Sequence, residues 1–403
     1  MIVKTRRTPT ARTARTAWQR IRAGHTPHRP VLVTAVLTSA AIAVGGVVAV
    51  GGPERDPART QVAAAPLPLK GPWRSTAVPV AKGDLTAVAG LDGRNVWAVG
   101  YRLVGDSGGE PLALRWNGSS WQEESKLPAG SWPQTLAVRA ADDIWAAGTD
   151  TAHWDGTAWT SRPLAADPAG RVVPDALALS PDGSVWVAGR AAAGAVKNGV
   201  PAIQRWDGTA WQRQPLPDVG RGELSAVTVV AADDIWAVGA AYAPGGGRQS
   251  ALALHWNGES WRRVPLPAAA AEHRWFGAVT AVRPGEVWAV GGAVTAGAGG
   301  GSERPYTARW DGRKWTEPTA PKAADGRLRS VTRTSDGTLW AAGGKGTASL
   351  LLRWDGGDRR WERAADPGVV VRSVTAVPGS RSLWTVGIAA SGDMIPAAAR
   401  LPR

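Results

Sequence analysis

The residues of this chain that could do chemistry are few. Trp132 and Trp275 stand outside every recurring tryptophan pattern of the sequence. Each lies thirteen residues before a tryptophan of a repeated phrase (132 to 145, 275 to 288), and the same offset elsewhere holds Asp84, Val173, Glu223 and Arg327. Arg274 adjoins Trp275, and the three tyrosines, Tyr101, Tyr242 and Tyr306, fall in variable stretches between repeated phrases. Exposed aromatic rings beside arginine and carboxylates can stack on a sugar or grip a peptide. Ordinary rim packing is the alternative. Asp84 and Glu223 could instead serve as the acid and base of a hydrolase or lyase, although no spacing marks them as a pair. A second set is regular. The residue before each Trp-Asp/Asn-Gly phrase is basic: Arg115, His153, Arg205, His255, Arg309 and Arg353, with Arg400 in the matching place near the C-terminus. Such a ring could bind an anion. Its regularity points rather to repeated structural contacts with carboxylates such as Asp143 and Asp234.

Other chemistries lack their reagents. The 403 residues contain no cysteine, which excludes disulfides, thiolate metal sites, a cysteine nucleophile and a lipid-modified N-terminal cysteine. Five histidines, two of them near the N-terminus, do not suggest a histidine metal centre. No phosphate-cradling glycine loop or calcium-loop signature occurs, so neither metal nor cofactor is expected.

The elements that must position these side chains form a repeat. An apolar-Trp-Ala-Val-Gly phrase recurs with its tryptophan at 97, 145, 186, 236, 288, 340 and 384, at spacings of 41 to 52 residues. Trp-Asp/Asn-Gly follows at 116, 154, 206, 256, 310 and 354, and a further Trp comes five residues later in five copies and seven later in the sixth, at Trp361. Equivalent tryptophans in every copy read as packing between units. Each unit translates into four antiparallel strands. In the fourth copy they are ELSAVTVV, then IWAVG, then LALHW, an Asn257-Gly258 hairpin turn of two residues, and SWRRVPL. Four-stranded units at this period predict an all-β, seven-bladed β-propeller over residues 71–403. The last blade runs out of chain after a third strand within 394–403. Trp73 and Pro79 match the Trp and Pro that end other units, so residues 71–79 are expected to supply its fourth strand and close the ring. Loops between second and third strands, and connections between blades, share one face. They are long and variable here, which makes that face the expected binding surface and puts the offset-thirteen residues at the mouth of its central channel.

The phrase VWAVGG at 287–292, with LWAAGG at 339–344, resembles the kelch repeat of galactose-oxidase-type propellers; Trp-Asp-Gly stands where that repeat usually places Tyr-Asp, and the other five copies lack the second glycine. SPDGSVW at 180–186 and TSDGTLW at 334–340 also resemble the Asp-box turns of sialidase-type propellers, one residue short. The kelch-like oxidases use a Cys–Tyr-linked copper site, which a chain without cysteine does not have. The resemblance implies a fold more than a function.

Ahead of the repeats, residues 1–30 carry eight basic and no acidic residues, and 31–52 hold 22 residues without charge. As a helix that run would be about 33 Å long, enough to span a bilayer. The basic flank predicts a single-pass anchor with its N-terminus in the cytoplasm and the propeller outside, joined by a Pro/Ala-rich linker over 53–70. A cleaved signal peptide, giving a secreted propeller, is the alternative. The net charge of +14 divides into +8 for residues 1–60 and +6 for the rest, and most basic residues are arginine, so no nucleic-acid partner is expected. The expectation is a membrane-anchored binding module for a cell-wall glycan or an exported protein. A carbohydrate-active enzyme and a non-catalytic envelope scaffold are the alternatives.

Overall fold

The computed structural model describes residues 72–105, 108–193, 199–244, 249–268, 272–295, 302–321 and 324–402. The basic segment, the expected span 31–52 and the linker 53–70 lie outside them. No helix among the described residues is long and apolar enough to cross a membrane.

The described residues form seven four-stranded antiparallel sheets. Blades 1 to 6 each run in chain order from inner to outer strand. Their inner strands are Gly83–Asp92, Thr135–Ala140, Arg171–Leu179, Gly222–Ala231, Glu272–Arg283 and Arg327–Arg333. Blade 7 begins with Val369–Ala376, continues through Leu383–Ala389 and Pro396–Leu401, and ends with the N-terminal strand Arg74–Thr76. Arg74, Ser75 and Thr76 pair with Arg400, Ala399 and Ala398. The ring therefore closes as the truncated last copy predicts, between strands more than 320 residues apart in sequence. Trp121 of blade 1 donates its indole N–H to the Thr76 hydroxyl at 2.9 Å, which fastens the closing strand to the next blade.

The repeated tryptophans hold the seams. In every blade but the sixth, the second-strand Trp meets the two outer-strand Trp residues of the following blade: Trp97 with Trp154 and Trp159, Trp145 with Trp206 and Trp211, Trp186 with Trp256 and Trp261. Trp236, Trp288 and Trp384 do the same, the last reaching around the ring to Trp116 and Trp121. Ring centroids lie 4.5–6.2 Å apart, mostly tilted or edge-on, where each aromatic pair adds about 0.5–1.5 kcal/mol to area burial. At the seam of blades 6 and 7, Trp340 packs with Trp73 and Leu401 in place of the third indole. A shallow cavity of ≈ 230 Å³ opens there.

The basic ring is structural, as its regularity implied. His153 and His255 bond Asp143 and Asp234 at 3.0 and 2.8 Å and lie against Trp145 and Trp236 of their own blades. Arg115, Arg205 and Arg309 lie over Trp97, Trp186 and Trp288, and bond Asn95, Asp182 and Glu286. The Trp-Asp/Asn-Gly turns differ from expectation in one respect. Trp256 pairs with Trp261, so the connection spans 257–260, and the Asn257 side chain accepts the Ser260 N–H that a two-residue turn would give to backbone. The Asx cap explains the fixed Asp or Asn.

Candidate functional site

The glycine of the repeated phrase builds the channel mouth. A Cβ added to Gly100, Gly148, Gly189, Gly239, Gly291, Gly343 or Gly387 would lie 2.0–2.1 Å from a carbonyl oxygen of the adjacent inner strand. Those carbonyls belong to Asp84, Trp132, Val173, Glu223, Trp275, Arg327 and Val370. The offset-thirteen rule thus picks out one structural position in blades 1 to 6; in blade 7, where that offset gives Val371, the position is held by Val370, fourteen residues before Trp384. Only glycine lets the two backbones approach so closely. Immediately after this contact the inner strand bulges. The register skips Thr86, Asp175, Ser225, Gly277, Arg329 and Arg372. Gln134 occupies the same place just ahead of the inner strand of blade 2. A bulge residue is freed from the ladder, here on or just ahead of the innermost strand of each blade. The result is a second ring of seven positions, two residues beyond the first.

The sequence-selected residues separate into three groups. Asp84 and Tyr101 are cross-strand partners in blade 1, and the Tyr101 ring meets Trp132 edge-on at 5.8 Å. Asp84 is buried and accepts the Arg372 Nε–H at 2.9 Å through one oxygen. Its other oxygen has no hydrogen-bond partner among the described residues. Burial pushes the Asp84 carboxyl above its ordinary value, against the pull of Arg372. Trp132 is 38% exposed and sits at φ 37°, a left-handed backbone that an aromatic residue rarely adopts.

The second group joins blades 3 and 4. One Nη1 of Arg190 bonds both Asp175, at 2.5 Å, and Glu223, at 3.3 Å. Burial pushes Asp175 up to about 7, and the Glu223 charge pushes the same way against Arg190. The Tyr242 phenol is also raised, by burial and then by Glu223, to which it hydrogen-bonds.

The third group joins blades 5 and 6. The Trp275 ring fills the space where a Gly292 side chain would stand, and the Arg327 stem borders the same space. Arg327 reaches Glu303 at 3.6 Å. Arg274 turns away from this group. It pairs with Glu272 and Glu317 and lies over the Tyr306 ring. Tyr306 is 3% exposed, within the third strand of blade 5 and not in a loop. It stacks on Phe276 and donates to Glu317. Tyr101 and Tyr242 likewise lie within second strands. Asp84 and Glu223, weighed above as an acid–base pair, stand on blades 1 and 4 and take different arginines. The carboxylates brought together are Asp175 and Glu223.

Sequence reasoning missed Asp175, Arg190, Arg329 and Arg372. A signal was present: each inner strand reads apolar–X–small or hydroxyl (Leu85-Thr86-Ala87, Pro174-Asp175-Ala176, Leu328-Arg329-Ser330, Val371-Arg372-Ser373), with X two residues beyond the mouth position. Acidic side chains gather on blades 3 and 4, and Arg327, Arg329 and Arg372 on blades 6 and 7, where Asp84 of blade 1 pairs with Arg372.

No protein-family model matches the chain, and no curated protein matches it. Solved structures do. One described as YCF48 bound to D1 peptide is 17% identical, with a TM-score of 0.54 over 84% of this chain and 100% of that one. The WD40 β-propeller domain of Doa1 is 10% identical, with a TM-score of 0.53 over 79% of this chain and 93% of that one. The likeness is one of fold.

Proposed function

We propose that this chain is a binding module that captures a segment of another protein at the channel mouth on the variable face of its propeller. Trp132 carries the reading. A large apolar side chain left exposed, on a backbone held at positive φ, has a geometric cost that a core position would not need to bear. Protein interfaces concentrate their energy in such fixed aromatic anchors. The charged pairs around the mouth suit the polar groups of a peptide. The propeller of similar fold bound to a D1 peptide supports the same reading. A glycan is the less favoured ligand: Tyr306 is buried, and Trp132 is the one exposed tryptophan among the described residues, so Trp132 with Tyr101 is the aromatic platform left for a sugar. The reading includes the anchor at 31–52 and an extracytoplasmic propeller of kelch-like descent, which would make the partner another exported protein.

A second reading rests on Asp175 and Glu223, which share Arg190 while burial keeps Asp175 protonated up to about pH 7. That is one acid and one base, the minimum for a hydrolase of carbohydrate type.

The experiment presents envelope proteins and cell-wall glycan in parallel to the immobilised chain, wild type beside Trp132→Ala. Saturable capture of a defined protein, weakened about 30-fold in the variant at unchanged melting temperature, is the expected outcome. Retention of glycan alone would replace the protein reading. Turnover of a glycoside that disappears in Glu223→Gln would establish the enzyme.

A further inference from the structure

We propose that the Arg329 guanidinium, flanked by Arg327 and Arg372, is an anion site inside the channel that takes a carboxylate carried by the ligand.

The first support is aim. Arg329 is the bulge residue of blade 6, skipped by the ladder between Leu328 and Ser330. The same position in the adjoining blade 7 holds Arg372, whose guanidinium reaches Asp84 of blade 1. The second is the lack of a partner. Every neighbouring arginine of the mouth is engaged: Arg372 by Asp84, Arg190 by Asp175 and Glu223, Arg327 by Glu303, Arg274 by Glu272 and Glu317. Arg329 makes no hydrogen bond or ion pair among the described residues, although it is half-buried. The nearby acid, Glu303, is already taken by Arg327.

The electrostatics agree. Burial pushes the Arg329 guanidinium down to about 10, and Arg327 and Arg372 push the same way. It stays protonated at neutral pH, so the folded protein holds a charge that packing disfavours and that Glu303, itself paired with Arg327, offsets only from a distance. An unpaired, partly desolvated cation is destabilising, and an entering anion relieves that cost. A guanidinium fork matches the two oxygens of a carboxylate. The acids Asp175 and Glu223 stand on blades 3 and 4, and in a ring of seven the seam between those blades faces blade 7. With one unpaired guanidinium to meet, a compact, singly charged group is the better fit. That the carboxylate belongs to a peptide, at its C-terminus or on an acidic side chain, rests on the protein-binding reading. The anion site does not.

The test uses the full chain and sodium acetate as the probe. Acetate is titrated at constant ionic strength while the arginine Nε–H resonances are followed by NMR, with Arg329 assigned by its loss in Arg329→Gln. A saturable shift at Arg329, echoed at Arg372 and absent from the ring residue Arg309, is expected. Arg329→Gln should weaken acetate binding about tenfold, the loss of one charge-assisted contact of about 1.4 kcal/mol. Its melting temperature should stay level or rise, because like-charge crowding is relieved; a merely structural arginine would lower it. Arg329→Lys, which keeps the charge without the fork, should bind between the two. Absence of saturation, or saturation unchanged in Arg329→Gln, would overturn the site. A short acetylated peptide offered with a free C-terminus, as its amide, and as an amide carrying an internal glutamate then separates the two carboxylate sources. Failure of the acetate titration with protein capture intact removes the anion site alone; the converse removes the partner alone.

Discussion

At the scale of single residues, two groups at the mouth make opposite predictions. The Gly239 Cα lies so near the Glu223 carbonyl that a methyl group would stand 2.1 Å from its oxygen. Gly239→Ala must push the inner strand of blade 4 off its neighbour, at a cost of about 3 kcal/mol in urea unfolding. Ser225, two residues beyond Glu223, has no place in the ladder, and Ser225→Ala should change stability by less than about 0.5 kcal/mol. Equal costs for the two would show that the glycine contact does not set the bulge. Asp175 offers a pH prediction. Its carboxyl binds a proton more tightly folded, with a value of about 7, than unfolded, near 3.8. Its stabilising contribution is therefore full below about pH 3.8 and is lost as pH rises through 7. Thermal melts of wild type and Asp175→Asn from pH 5 to 9 should show the wild type losing ground as pH rises. Parallel curves would mean that Arg190 holds the carboxylate fully ionised.

At the scale of strands and seams, the indole triads set stability. Trp384→Ala removes the centre of a complete triad with Trp116 and Trp121 and should cost about 3–5 kcal/mol. The seam of blades 6 and 7 has Leu401 where the others carry a tryptophan, beside an open cavity. Leu401→Trp should raise stability by about 0.5–2 kcal/mol in the same unfolding assay; a loss would show the cavity too shallow for an indole. These elements were legible in the sequence because each tryptophan repeats at a fixed place, and repetition reports packing without any knowledge of the partner. The bulges were not. A bulge is a relation between two strands, and the sequence displays only its cause, the glycine, fourteen or fifteen residues from its effect. Arg329 and Arg372 consequently read as ordinary strand residues. Tyr306 misled for the complementary reason: it appears once in the repeat, which suggests a loop, yet Phe276, equally singular, stands ready to cover it.

At the scale of the whole molecule, closure concentrates in a strand of three residues, Arg74–Thr76, with Trp73 beside it. Trp73 donates to the Ala365 carbonyl of the preceding connection, and Thr76 receives Trp121 of the following blade, so this short strand ties blade 7 to both neighbours. Removing residues 1–76 should expose the edge of Pro396–Leu401, broaden the unfolding transition and promote self-association visible by sedimentation. A sharp, monomeric transition in that truncation would show that the ring closes without it. The truncated seventh copy makes this closure readable in the sequence. The division of charge between blades 3 to 4 and 6 to 7 was not readable, because residues 175 and 329 come to stand on opposite sides of one channel only once the ring exists. The same architecture carries a consequence for how such proteins diversify. The inner ring spells a word of seven letters, Thr-Gln-Asp-Ser-Gly-Arg-Arg; its glycine is fixed, because a Cβ at Gly277 would stand 2.8 Å from the Leu328 carbonyl oxygen, while the other six positions already carry side chains. On the binding reading proposed above, spelling at those six can drift while the grammar of tryptophan and glycine stays fixed, so a descendant of this chain would acquire a new vocabulary of ligands without learning to fold again.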